Sequence, residues 1–163
     1  MKATLCTILM LLLGSISSSA AERKVNKVMI VKSQNKMVLL SGSKKIKEYH
    51  VVFGANPNGH KQQEGDEKTP EGDYILDYKK SDSSYYKAIH ISYPNKMDIL
   101  TARNQGVNPG GMIMIHGQKN GLGWLAPFTQ NFNWTDGCVA LTNSDMEEVW
   151  QLIKKGTKIV ILP

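Results

Sequence analysis

Two short apolar runs near the C-terminal end constrain the fold more than any other feature of this sequence. They cover residues 112–115 and 137–141, and each has the length of a buried strand rather than that of a helix. A loop rich in glycine and aromatic residues separates the two runs. His116 follows the first run and Cys138 opens the second, so we expect both side chains where strands meet loops, at the edge of a cleft.

The rest of the chain alternates short strand patterns with turns, which is typical of a β-rich domain. The further predicted strands cover residues 25–33, 36–41, 46–54, 74–78, 88–94 and 157–162. Between the third and fourth of these strands lies a polar loop of residues 55–71. A loop of this length inside a small domain often has a function. We expect its last part, residues 65–72, to support the cleft rather than to bind a phosphate, because it is acidic and lacks the Gly-Lys-Ser/Thr ending of a P-loop.

One helix near the C-terminal end is clear from its apolar face. The face is formed by residues at positions i, i+3, i+4 and i+7, which are Met146, Val149, Trp150 and Ile153. Thr142 or Asn143 is expected to cap the first turn, and Gly156 is expected to end the helix. Residues 98–103 fit a short helix or a turn equally well. Many short strands with one clear C-terminal helix predict a single α+β domain.

The first 20 residues have the pattern of a secretory signal peptide: a lysine, an apolar run and then small residues. Cleavage is expected after Ala20, with Ala21 as the alternative site. The apolar run is too short to span a bilayer. We therefore expect a periplasmic protein of residues 21–163, with one domain and no membrane span after signal removal. Cys6 would be removed with the signal, which would leave Cys138 as the one cysteine of the mature chain.

The formal net charge of +6 indicates either a solvated lysine-rich surface or affinity for an anionic polymer outside the membrane. Nucleic acid is not an expected partner, because Arg23 and Arg103 are the only arginines and no aromatic-basic motif occurs. The four histidines are scattered and form no zinc motif, so we expect no metal and no cofactor. His60 lies in the polar loop and is expected to face solvent.

Cys138 and His116 have the residue types of a nucleophile and its base, because the thiolate is the reactive form of cysteine and an imidazole favours it. The alternative is an inert buried cysteine with a structural histidine. Gly137 would let a substrate approach the backbone closely, so that amides at residues 137 and 138 could stabilise an oxyanion. The group that orients the histidine would be a backbone carbonyl, such as that of Gly117, or the carboxylate of Asp136.

Three motifs occur in a fixed order along the chain. They are Thr69-Pro70-x-Gly72-x-Tyr74, His116-Gly117 and Thr135-Asp136-Gly137-Cys138-Val139. Together they resemble the L,D-transpeptidase catalytic domain, also called the YkuD or ErfK domain, over residues 27–162. The segments Ser92-Tyr93-Pro94-Asn95 and Asp136-Gly137-Cys138-x-Ala140 resemble the YafK-type branch of that family in particular.

The resemblance implies a β-rich mixed sheet, folded as a sandwich or barrel, with the cysteine cleft at one edge. It also implies cysteine-dependent acyl transfer on peptidoglycan stem peptides, by attack on a peptide bond between an L-centre and a D-centre. The candidate substrate-binding residues are Tyr93, His90, Asp136 and Trp134. His90 fits a cleft position and a core position equally well. Aromatic residues in the loop of residues 117–134 would either anchor that loop or contact the substrate.

Two positions depart from the common pattern of this family. Many members have a histidine where this chain has Asp136 and an arginine where it has Ala140. Without that guanidinium the cleft lacks a fixed donor for a substrate carboxylate, so the acyl acceptor is left open. Hydrolysis is the alternative, as an L,D-carboxypeptidase or as an amidase that releases murein-linked protein, which makes a murein-linked lipoprotein a candidate partner. A catalytically silent murein-binding module is the third alternative.

Overall fold

The computed structural model describes residues 24–163, and the predicted signal peptide lies outside these residues. The strands are β1 (Lys27–Val31), β2 (Lys36–Ser41), β3 (Lys44–His50), β4 (Gly72–Lys80), β5 (Ala88–Ile91), β6 (Met114–His116), β7 (Val139–Ala140) and β8 (Thr157–Leu162). The α-helices are α1 (Lys96–Gln105), α2 (Ala126–Thr129) and α3 (Asn143–Leu152). The short helix α2 lies within the segment that was predicted as a loop.

All of these strands join one mixed sheet in the order β3-β2-β1-β8-β4-β5-β6-β7. The pairs β1/β8 and β6/β7 are parallel, and the other neighbours are antiparallel. Beyond β3, Val52 forms an antiparallel bridge with Ala140 of β7, so the chain that follows one edge strand meets the other edge strand. The sheet therefore curls toward a barrel, and the predicted β-rich α+β fold with a mixed sheet is confirmed.

The core lies between the curled sheet and helix α3. Alternate residues of the strands point into it, among them Ile30 and Ile115, which are fully buried. Met146 and Val149 of the helix and Ile153 directly after it are also fully buried, whereas Trp150 of the same predicted face is partly buried. Helix α3 starts directly after β7 and so holds the strand that follows the cysteine.

Two helices differ in part from the expectations. The segment that fitted a helix or a turn is helix α1, because the side chain of Asn95 accepts N–H groups of the first turn while Asp98 accepts the N–H of Asn95. Helix α3 ends at Leu152 rather than at Gly156, since Ile153 is already extended with φ −84° and ψ 134°. Gly156 instead lies in the turn into β8, with φ 87°.

Strand β3 begins at Lys44 and ends at His50, earlier at both ends than predicted. The chain leaves β2 after His50, where the N–H of Val51 donates to the carbonyl of Asn35 at 2.9 Å and Val52 turns to bridge β7. This change of partner brings the loop of residues 55–71 to the edge of the sheet where β6 and β7 lie.

Candidate active site

His116 and Cys138 lie on the same face of two neighbouring parallel strands. His116 is the last residue of β6, and Cys138 directly precedes β7. The strand register pairs His116 with Ala140, which places Cys138 beside Met114. Because side chains alternate along a strand, the histidine and the cysteine are diagonal neighbours on one face, with Cα atoms roughly 7–8 Å apart. At that spacing the two side chains can approach each other across the same face of the sheet.

The ring of His116 is buried and fixed by its neighbour along the chain. Its Nδ1 lies 2.6 Å from the carbonyl oxygen of Gly117, and since a carbonyl only accepts, Nδ1 carries the proton and Nε2 is left as the acceptor. Burial lowers the pKa of His116 to about 4, and the hydrogen bond to Gly117 partly opposes that shift. The backbone carbonyl therefore orients the ring, whereas the exposed side chain of Asp136 lines the cleft.

The thiol of Cys138 is partly buried beside β6. Burial raises its pKa, the N–H of Met114 at 3.4 Å from Sγ lowers it, and the carboxylate of Asp136 raises it. The thiol itself points toward the carbonyl of Met112 at 3.7 Å. At neutral pH the site therefore rests as an uncharged thiol and an uncharged imidazole.

The turn before Cys138 is held by the hydroxyl of Thr135. That hydroxyl donates to the carbonyl of Cys138 at 2.7 Å and accepts the N–H of Gly137 at 3.2 Å. The Gly137 amide, which was expected to serve an oxyanion, is thus already engaged. The Cys138 N–H makes no hydrogen bond within residues 24–163 and is the better donor for an oxyanion.

Gly137 is required at this turn for steric reasons. Its φ of +122° disfavours any L side chain, and a Cβ there would lie 2.5 Å from the carbonyl oxygen of Lys68. The loop of residues 55–71 therefore packs against the backbone that carries Cys138. Thr69 of the same loop is fully buried, and its hydroxyl accepts the N–H of Gly54 at 3.1 Å.

Two aromatic rings form the wall above the histidine. Tyr85 lies with its ring centroid 4.3 Å from that of His116, and Trp134 lies 6.0 Å from the same ring. Trp134 was predicted from the sequence, whereas Tyr85 was missed because the segment before β5 carries no motif. Burial raises the pKa of Tyr85, and the nearby Cys138 and Asp136 add to that shift, so its hydroxyl stays protonated and can donate.

These residues line one cleft with a volume of about 330 Å³. Its lining consists of Lys80, Ser83, Ser84, Tyr85, Ala88, Met112, Met114, His116, Trp134, Thr135, Asp136 and Cys138. Four of the predicted site residues are brought together here, and the backbones of Gly117 and Gly137 adjoin them. The described structure thus gathers a candidate nucleophile, base and aromatic wall around one cavity.

Two of the predicted substrate-binding residues are not among the residues that line this cleft. Tyr93 is buried, and its hydroxyl donates to the carbonyl of Pro109 at 2.9 Å, so it has a packing role. His90 stacks on Tyr78 with ring centroids 4.5 Å apart, and its Nδ1 lies 2.7 Å from a carboxylate oxygen of Asp77. His90 shares the cleft face of the sheet but lies one row further along it.

His60 was expected to face solvent, but the structure places it in a fixed network. Its Nδ1 accepts the N–H of Glu71 at 3.0 Å, and its Nε2 lies 3.1 Å from a carboxylate oxygen of Asp98. Asp98 also accepts the hydroxyl of Tyr74 at 3.1 Å. The ring therefore ties the loop of residues 55–71 to the first turn of α1, which a reading of the polar loop alone could not detect.

Within residues 24–163, no helix is long and apolar enough to cross a bilayer. Over the same part of the chain, no group of three or more His, Cys, Asp or Glu side chains is placed to hold a metal ion.

The model of the L,D-transpeptidase catalytic domain family, YkuD, matches residues 26–161. The "Putative L,D-transpeptidase YafK" of Escherichia coli (strain K12) is 35% identical over 107 residues, which are 64% of this chain and 36% of that protein. This chain thus spans about a third of the length of the curated relatives that it matches.

Solved structures share the fold. The helical cell shape determining protein Pgp2 from Campylobacter jejuni superposes with a TM-score of 0.65 at 28% identity, over 84% of this chain and 47% of that one. Bd1075 from Bdellovibrio bacteriovorus gives a TM-score of 0.59 at 28% identity, over 86% of this chain and 48% of that one. An L,D-transpeptidase from Xylanimonas cellulosilytica has a TM-score of 0.56 at 14% identity, covers 85% and 60%, and supports the fold alone.

Proposed function

This chain belongs to the L,D-transpeptidase catalytic domain family, and from that premise we propose that it transfers acyl groups of peptidoglycan stem peptides through a thioester on Cys138. One observation carries the proposal. The thiol of Cys138 and the ring of His116 face one cleft from neighbouring strands, and Nδ1 of the ring is held by the carbonyl of Gly117. An oriented base and a nucleophile that face one cavity are what acyl transfer requires.

In the first half-reaction, Sγ of Cys138 attacks the carbonyl carbon of a peptide bond between an L-centre and a D-centre. As the C–S bond forms, Nε2 of His116 accepts the thiol proton. The N–H of Cys138 and the hydroxyl of Tyr85 are the candidate donors to the oxyanion. When the tetrahedral intermediate collapses, the C–N bond breaks, and His116 returns the proton to the leaving amine.

In the second half-reaction, an amine or a water molecule attacks the thioester and releases the thiol. An amine acceptor forms a new cross-link, whereas water shortens a stem or releases a murein-linked protein such as a lipoprotein. The exposed carboxylate of Asp136 at the cleft would attract a cationic amine. We therefore place transfer to an amine first and hydrolysis second.

The test is to incubate the mature chain with a disaccharide-tetrapeptide, with and without an added amine acceptor. Intact-mass measurement should find an acyl adduct that maps to Cys138, and product analysis should find a transfer product when the amine is present. A shortened stem without a transfer product would assign hydrolysis instead.

Cys138→Ala is the control, and it should give neither adduct nor product while keeping the same thermal unfolding midpoint. Alkylation of the thiol in the unaltered protein should abolish turnover in the same way. Substrate binding without any adduct, at any acceptor concentration, would contradict acyl transfer and leave a murein-binding module as the function.

We also propose export of the mature chain to the periplasm, where its substrate lies, after cleavage at Ala20 or Ala21. The intact mass of protein recovered from the periplasm tests this, and retention of Met1 in that fraction would contradict it. Because Pgp2 is described as a helical cell shape determining protein, the gene's deletion should be scored for cell shape as well as for muropeptide composition.

A further inference from the structure

We propose that Lys80 forms an anion subsite in the catalytic cleft, which recognises a free carboxylate of the stem peptide. The proposal rests on the function proposed above and names a specificity-determining residue for it. The subsite lies at the end of the cleft formed by the last residue of β4 and the loop that follows, where Ser83 and Ser84 also line the cavity.

Strand register directs Lys80 toward the cleft. Lys80 pairs with Ala88 on β5, and Ala88 pairs with His116 on β6, so the three residues form one row across three strands. Directly opposed residues share a face of the sheet. Since neighbouring strands lie about 4.8 Å apart, the Cα atoms of Lys80 and His116 are about 10 Å apart, which is roughly three residues of extended peptide.

A β-bulge makes this orientation specific to Lys80. The register of β4 against β5 shifts between Leu76 and Lys79, and a shift of one residue exchanges the faces to which the following side chains point. Lys79 consequently points to the opposite face, where its ammonium lies 4.8 Å from the ring centroid of Trp150. Of two adjacent lysines, the bulge assigns one to the catalytic cleft and the other to helix α3.

The charged side chains of the cleft favour an anionic ligand at Lys80. Lys80 is the single cation among the lining residues, Asp136 is the single anion, and His116 is neutral at neutral pH. Ala140 leaves no guanidinium beside the nucleophile. The ammonium of Lys80 is thus the group in this cavity that can attract a carboxylate, and a stem peptide ends in one.

The Lys80 ammonium is available for a ligand, and the backbone segment that follows Lys80 is held in place. Its ion pair with Asp82 has an N···O distance of 4.0 Å, and because the Asp82 side chain is 85% exposed, this pair is weak. The loop after Lys80 is fixed by Asn120, whose side chain donates to the carbonyl of Ser83 and whose N–H donates to the carbonyl of Ser84. The hydroxyl of Ser84 makes no hydrogen bond within the described residues and is free to donate to the same carboxylate.

The test measures KM and kcat for every combination of substrate and variant. The substrates are a disaccharide-tetrapeptide with all carboxylates free and a set in which each carboxylate in turn is a carboxamide. We expect Lys80→Ala to raise KM about tenfold for the free acid with kcat nearly unchanged, and Lys80→Arg to retain most of the affinity. One carboxamide should raise KM equally in the unaltered protein and be insensitive to Lys80→Ala.

Lys36→Ala is the matched control, because Lys36 on β2 is as exposed as Lys80 and also has a carboxylate partner. It should leave KM unchanged. Added salt should raise KM of the unaltered protein and affect Lys80→Ala less, since an exposed ion pair is screened. An unchanged KM in Lys80→Ala, or an equal rise for every carboxamide, would overturn the subsite.

Binding to inactive protein separates this inference from the proposed function. Calorimetry with Cys138→Ala should show an affinity for the free-acid peptide that falls about tenfold when Lys80→Ala is added. If the unaltered protein turns over no substrate but this difference persists, acyl transfer fails and the subsite stands. Absence of the difference contradicts the subsite whatever the turnover.

Discussion

At the scale of single residues, the burial of the His116 ring determines how a proton can move between the Cys138 thiol and the imidazole. The low pKa of the imidazole and the raised pKa of the Cys138 thiol leave the pair uncharged at rest. Many cysteine nucleophiles are already thiolates beside a cation. Here the thiolate would form only as the C–S bond forms, so the two residues must act as a unit.

The first prediction follows from that coupling. Cys138→Ser and His116→Ala should each lower kcat/KM on the order of a thousandfold or more, and the double variant should be little worse than either single one. Asp136→Asn should cost much less, because the carbonyl of Gly117 orients the ring. Turnover of a stem-peptide substrate measures all four, and full activity in Cys138→Ser would refute the mechanism.

The second prediction concerns pH. His116 can accept a proton only while its ring is neutral, and its pKa is lowered to about 4, so kcat/KM should fall on the acid side near pH 4 rather than near 6.5. A pH profile of kcat/KM from about pH 3.5 to 8 tests this. An acid limb near pH 6.5 would show that the ring titrates as it does in water.

Folding must be followed at each pH of that profile. The unfolded chain binds a proton on His116 below about pH 6.5, whereas the folded chain does so only near pH 4. The free energy of unfolding therefore falls as the pH drops through this window, by about 3 kcal/mol in all. Tryptophan fluorescence separates that loss from loss of the base.

At the scale of elements, the loop of residues 55–71 packs by close backbone contact against the turn that carries Cys138. A Cβ on Gly54 would lie 2.0 Å from the carbonyl oxygen of Glu67, which already accepts the N–H of Asn56. Neither backbone can move without disturbing the other. The loop and the turn at Gly137 thus pack together as one unit, as the buried Thr69 also indicates.

The third prediction tests that unit. Gly54→Ala should lower the thermal unfolding midpoint by several degrees and reduce kcat, because the loop must shift away from the turn that carries Cys138. Gly111→Ala is the control, since a Cβ there would meet Pro94 at an ordinary 3.8 Å. Equal midpoints and equal kcat in the two variants would contradict a supporting role for the loop.

Elements with a local pattern could be predicted, and contacts set by register could not. The periodicity of α3 and the apolar runs of β6 and β7 can be recognised within short stretches of sequence. His116 and Cys138 lie at the ends of those two runs and could be identified in the same way. The capping box of α1 was also present, as Asn95 and Asp98, although its apolar pattern is weak.

Tyr85 and Lys80 were missed for a different reason. Their place at the cleft depends on a bulge and on strand pairing between distant segments, which no local pattern contains. Tyr93 was placed at the cleft from a motif, and the structure buries it in the core. His90 was left open between cleft and core, and the structure puts it on the cleft face but outside the cleft lining. The candidate nucleophile and base could thus be predicted from local sequence, whereas several of the residues that line the cleft could not.

At the scale of the whole molecule, β8 joins the two halves of the sheet. It pairs with β1 on one side and with β4 on the other, so the N-terminal hairpins and the strands that carry the cleft share it. Ile159 and Ile161 of β8 are nearly fully buried. The domain should therefore unfold as one unit.

The fourth prediction makes this measurable. Ile159→Ala should lower the free energy of unfolding by about 2–5 kcal/mol, because it removes a buried side chain and leaves a cavity. Urea unfolding followed by circular dichroism and by tryptophan fluorescence should give coincident curves in both proteins. Exposed Leu162→Ala on the same strand should change little, and separate transitions by the two probes would contradict a single unit.

The central position of β8 also determines when the sheet can form. Among the strands of residues 24–163, β8 is synthesised last, yet Lys27 of β1 must pair with Lys158 before the sheet is continuous. A pairing between segments so far apart closes a very large loop, and such topologies fold in roughly milliseconds to seconds rather than microseconds. Until β8 has been synthesised, the nascent chain therefore cannot complete this sheet.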